Sequence, residues 1–127
     1  MANTNRTKGH NAEREFRTEF RALGYLNCET SRYASRKHDD CKVDLVGIPF
    51  NVQIKAGKQR GMNPSKVLLD MEEALKEGFP ADKHEHDKIK VLIHKKDGKR
   101  GRPRTQYDDL VTITWEDFKR LIKMVEP

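Results

Sequence analysis

Apolar residues recur along this chain with two periods, and the switches between them predict the elements. From Lys8 to Leu23, Ala12, Phe16, Phe20 and Leu23 fall on one helical stripe, and Gly24 follows as a stop signal. Pro64 or Ser65 opens a second helix, whose Val67, Leu68, Met71 and Leu75 form the apolar stripe and which ends at Gly78. Thr114 and Asp117, a capping-box variant, start a third, with Trp115, Phe118, Leu121, Ile122 and Val125 expected to face the core. Between these helices the period drops to two. Residues 43–56 read as a β-hairpin, Ile89 to His94 as a clear strand, Leu110 to Thr114 as a short one, and Tyr25 to Tyr33 as a weak first strand. Ser31 to Lys42 is a polar loop, residues 57–61 form a basic connector, and the polar residues 1–8 are expected to be frayed. That order predicts one α/β domain over residues 1–127, a small mixed sheet flanked by helices.

The hairpin carries the most information. Centring its turn on Ile48-Pro49 sets Leu45 opposite Val52, Val43 opposite Ile54, and Asp44 opposite Gln53. The apolar pairs then share one face, expected to be buried. Asp44, Gln53 and Lys55 share the other, where opposed Cβ atoms lie roughly 4.5–5.5 Å apart. Asp is depleted in strands, so Asp44 between apolar neighbours asks for a chemical reason. Two hard oxygen donors in register suit magnesium, which keeps most of its waters and needs only one or two protein groups. An ammonium two residues further on can orient a water or offset charge developing on a phosphate.

Composition extends that reading toward an anionic partner. The chain has 127 residues, 36% of them charged and 35% hydrophobic, with 26 Lys and Arg against 20 Asp and Glu, hence a net charge of +6. Nucleic acid is the first partner such a balance suggests. The basic residues are clustered: Lys55, Lys58, Arg60 and Lys66 occur with no acid over residues 55–66, and residues 95–104 hold six, among them Lys99, Arg100 and Arg102, against Asp97 alone. Arg14 and Arg17 on the first helix, and Arg32, Ser35, Arg36 and Lys37 in the first loop, extend the expected DNA-contacting set. No apolar run approaches the ~20 residues of a membrane span and no signal-type segment opens the chain, so no membrane contact and a cytoplasmic location are expected. Cys28 and Cys41 read as free thiols, and zinc-ligand spacing is absent.

Asp44, then Gln53-x-Lys55, with Glu13 on a preceding helix and Gly57 just after the lysine, resembles the PD-(D/E)XK nuclease superfamily, and within it the small Holliday junction resolvases and phage-type endonucleases. Residues 9–16, Gly-His-Asn-Ala-Glu-Arg-Glu-Phe, look like the helical opening of those resolvases. Arg32 and Ser35 fall where the family has a basic residue and a Ser-rich loop. The resemblance implies a restriction-endonuclease-like core and a metal-dependent, structure-selective DNA endonuclease. In it Asp44 and Gln53 bind Mg2+ (or Mn2+), Glu13 assists, and Lys55 acts on the water or the phosphate. It also implies a homodimer, since resolving a four-way junction takes two coordinated cuts. Gln53 departs from the family, which more often has a carboxylate there. Another endonuclease on this fold (nickase, repair or restriction type) and a non-catalytic nucleic-acid-binding module with a decayed site are the alternatives.

Overall fold

The computed structural model describes residues 5–125. Its centre is a five-stranded mixed sheet with the order β1-β2-β3-β4-β5, formed by Glu29–Thr30, Leu45–Val46, Phe50–Ala56, Ile89–Lys95 and Asp109–Thr112. β3 and β4 pair in parallel and every other neighbour is antiparallel. A parallel pair needs a crossover, here helix α4 (Pro64–Gly78) followed by α5 (Lys83–Asp87). The remaining helices are α1 (Asn5–Ala22), α2 (Ser31–Ala34), α3 (Arg36–Asp40) and α6 (Trp115–Val125).

Both faces of β3 are covered. On one, Val52 and Ile54 join Ile89, Val91, Ile93 and Leu45 under Ala12, Phe16 and Phe20 of α1. On the other, Leu92 joins Val43, Leu68, Met71 and Leu75 beneath α4. Alternation along β3 puts Asn51, Gln53 and Lys55 on this second side, and Asn51 and Gln53 are buried. A strand buried on both faces tolerates polar residues only where they are partnered or held for a ligand.

The predicted register holds at Leu45, which pairs with Val52. Gly47 makes the turn possible: it sits at φ 81°, and a Cβ there would collide with the backbone of Asn27. Before Leu45 the ladder departs from regular pairing. The Asp44 N–H donates to the Val52 carbonyl at 2.7 Å, and the Ile54 N–H is taken by Asp44 Oδ2 at 2.6 Å. Val43 therefore packs with the α4 cluster and not, as the alternating pattern predicts, beside Leu45.

Other expectations shift as well. The predicted frayed segment ends inside α1, with Lys8 Nζ 3.2 Å from Asp97; its first four residues lie outside the described residues. Ser31 to Lys42 holds the two short helices α2 and α3, the second capped by Ser35, whose hydroxyl accepts from His38 N–H. The weak first strand shrinks to Glu29–Thr30. No described residue of α6 is buried: Leu121 packs on the α1-side core, but Trp115, Phe118 and Val125 are exposed. Cys28 and Cys41 are buried free thiols. Among the described residues no helix is long and apolar enough to cross a membrane.

Candidate active site

Three elements converge on Asp44. The residue stands just before β2, where the break in the ladder directs its carboxylate along the sheet toward the Ile54 N–H. Burial pushes its carboxyl from the ordinary 3.8 up to about 7; the Ile54 hydrogen bond and the Lys55 charge pull the other way, and the charges of Glu13 and Asp39 add to the rise. Glu13 on α1, Lys55 on β3 and Asp39 on α3 thus all lie within electrostatic reach of Asp44. A raised carboxyl of this kind holds its proton to higher pH than an ordinary aspartate, and a cation that needs the carboxylate must displace it.

Gln53 precedes Ile54, the residue whose N–H holds this carboxylate; it is 9% exposed, and its Oε1 accepts no hydrogen bond although it is shielded from water. Such an orphaned oxygen costs about 1–3 kcal/mol. Of the two Asp44 oxygens, Oδ2 takes the Ile54 contact and Oδ1 makes no hydrogen bond among the described residues. Asp44 Oδ1 and Gln53 Oε1 are both hard oxygen donors of the kind that suits Mg2+ or Mn2+, and a ligand at Gln53 would satisfy the one buried side-chain oxygen of β3 left without a hydrogen bond among the described residues. Lys55, half-buried, follows Gln53 by two positions on the same side of the strand.

Glu13 is more reserved. Burial raises its pKa, while the charge of Arg32 and the hydrogen bond between them lower it. The carboxylate is engaged by Arg32 in an ion pair that it must leave to reach a metal. Among the described residues no group of three or more His, Cys, Asp or Glu side chains is placed to hold a metal ion.

The predicted DNA-contacting residues divide by what already holds them. The two basic loops meet in one cleft of about 560 Å³ lined by Lys58, Arg60, Lys96, Lys99 and Arg100. Arg102 is drawn away into a two-point ion pair with Asp108 at 3.1 and 3.2 Å. Arg17 is bound to Glu29 at 3.1 Å, whereas Arg14 touches only the neutral Asn11 side chain. Arg36 is almost fully exposed, and Lys37 lies 4.1 Å over the Phe79 ring. Ser35 serves α3 as its cap.

A second polar cluster on the same side of β3 carries no sequence signal. Asn51 Nδ2 donates to the Glu85 carbonyl at 2.9 Å, His38 Nε2 meets Glu85 Oε1 at 2.7 Å, and Ser35 Oγ meets His38 Nδ1 at 2.7 Å. Burial works against the Glu85 charge, but hydrogen bonds from His38 and Lys88 outweigh it and hold the carboxyl below its ordinary range. Forty-seven positions separate His38 from Glu85, so no local spacing could reveal the pair. Compared with known proteins, the chain matches no family model, no curated protein and no solved structure.

Proposed function

We propose that this chain is a metal-dependent, structure-selective DNA endonuclease on a restriction-endonuclease-like core, most specifically a Holliday junction resolvase. The observation that carries the reading is the buried, unpartnered Gln53 Oε1, on the strand whose Ile54 N–H holds the Asp44 carboxylate and with Lys55 two residues along the same side. When bound, a divalent ion polarises the scissile phosphate and acidifies a water. Asp44, deprotonated, and Gln53 hold that ion. Lys55 orients the attacking water or offsets charge on the phosphate oxygens. Glu13 joins when Arg32 lets it go, and the cleft of Lys58, Arg60, Lys99 and Arg100 positions the backbone without reading sequence. Two coordinated cuts require two sites, so the proposal includes a homodimer.

The reading with a decayed site draws on two specific features. Gln53 brings no charge, and Arg32 occupies Glu13. One experiment separates the readings. A labelled four-way junction, a linear duplex and single-stranded DNA are incubated with the protein in magnesium, manganese or chelator, beside Asp44→Ala and Lys55→Ala. Paired, metal-dependent nicks at the junction, lost in both variants, are expected. Cutting of linear duplex alone favours another endonuclease of this type, and tight binding with no cutting in either metal leaves the binding module.

A further inference from the structure

Along α1, His10, Glu13, Arg14 and Arg17 recur at i, i+3, i+4 and i+7, a polar stripe facing α2 and β1. His10, Arg14 and Arg17 of this stripe, with Arg32 and Tyr33 of α2, wall a pocket of about 630 Å³, within the size range of small-ligand sites. Arg32 joins the pocket to the active site, because its guanidinium rests on Glu13. Tyr33 is 84% exposed, so core packing does not account for its ring. Arg14 makes no ion pair among the described residues; its side chain donates to the neutral Asn11. Glu29, the acid in the wall, is engaged by Arg17 and Arg21. The local field is positive: burial and then the charges of Arg32, Arg6 and Arg14 hold the His10 imidazole below its ordinary range, with only Asp39 opposing.

We propose that this pocket takes one unpaired DNA nucleotide beside the scissile phosphate, its base stacked on Tyr33 and its phosphate held by Arg14 and Arg32. The inference rests on the nuclease reading for what happens next door, but the pocket's own chemistry is separate from cutting. An aromatic face beside guanidinium groups suits a base and its phosphate, and stacking tolerates any base. In continuous duplex the base faces are covered by their neighbours, so a nucleotide reaches Tyr33 only at a branch, a flap or a gap. Selectivity for interrupted DNA then comes from the pocket, while the separate basic cleft of Lys58, Arg60, Lys99 and Arg100 grips backbone of any shape.

The test uses the full chain in chelator, where no cutting occurs, and DNA carrying 2-aminopurine at a single unpaired position next to a duplex. Wild-type protein and Tyr33→Phe are expected to quench the fluorophore. Tyr33→Ala is expected to abolish quenching and weaken binding roughly tenfold or more. Arg14→Ala should keep the quenching but lower the salt dependence by about one phosphate contact. Undiminished quenching in Tyr33→Ala, or equal affinity for interrupted and continuous duplex, overturns the proposal even if duplex is cut in magnesium. Quenching lost only in Tyr33→Ala, in a protein that cuts nothing in magnesium or manganese, keeps the pocket and overturns the nuclease reading.

Discussion

Two polar clusters lie under the same side of β3, and they are built on opposite terms. Around Asn51 the groups find partners: Glu85 accepts from His38 and Lys88, and its carboxyl is held in the charged form. Around Gln53 the amide oxygen has no donor, and the nearby Asp44 carboxyl is pushed up to about 7. One cluster spends its hydrogen-bonding capacity inside the chain and fastens α3, α5 and β3 together. The other keeps that capacity for something that arrives. Unsatisfied polar groups on a buried strand are tolerated where function requires them, and a two-residue shift along one strand separates the satisfied cluster from the one proposed to bind a metal.

The largest expected effect breaks the second cluster. Asp44→Ala and Lys55→Ala should each lower the cleavage rate by about 10²–10³-fold or more while leaving the far-ultraviolet dichroism unchanged; a variant that still cuts at the wild-type rate removes that residue from the site. Breaking the first cluster should instead damage the fold. Glu85→Ala strands His38 and Lys88 and should cost about 2–4 kcal/mol in denaturant unfolding, with cleavage at saturating metal little changed in the folded protein.

Asp44→Asn should do the reverse. Because the folded-state pKa of Asp44 is about 7 against an ordinary 3.8, the native protein holds a proton that the unfolded chain releases. Stability from this group is therefore present at low pH and declines as pH rises from about 4 through 7. The amide removes that loss, so the variant should be more stable than wild type by about 1–3 kcal/mol at pH 8, with the gain vanishing near pH 4. By the same linkage, metal affinity should fall as pH drops below about 7, by up to tenfold per pH unit. A pH-independent difference in melting between the two proteins would place the Asp44 proton elsewhere.

The smallest effects come from Gln53. Gln53→Leu removes the orphaned oxygen and should be neutral or about 1 kcal/mol stabilising, while metal heat in calorimetry is lost. Gln53→Glu should tighten metal binding. Unchanged affinity in both would show that Gln53 is not a ligand.

What could be read from the chain follows the length of its elements. α1, β3, α4 and β4 are long enough to display a period, and Phe16, Val52, Met71 and Ile93 sit where that period places them. The short helices α2, α3 and α5 have only four or five residues, too few for a repeat, and depend on caps such as Ser35 and Asp82. Period alone put Val43 beside Leu45; the irregularity at Asp44 sent it to the other layer. α6 shows the opposite failure, an amphipathic pattern whose Trp115 and Phe118 remain exposed, because periodicity states which residues share a side and not what covers it. At the site, Asp44, Gln53 and Lys55 could be grouped from the sequence because one hairpin carries all three, but the contact Asp44 makes, with the Ile54 N–H, has no signal in the alternating pattern. The Arg32 contact on Glu13 joins two helices and has no local signature.

The hydrogen bond from the Ile54 amide to Asp44 has a spectroscopic consequence. Most amides of β3 face backbone carbonyls, whose basicity hardly varies with solution conditions, but this one faces a group that titrates. Its proton resonance should move with pH around neutrality and move again when a divalent ion claims the carboxylate, while the Val52 and Gln53 amides stay nearly still. A single backbone signal in the middle of the sheet would then report, in solution and without any substrate, whether the centre is protonated, bare or loaded.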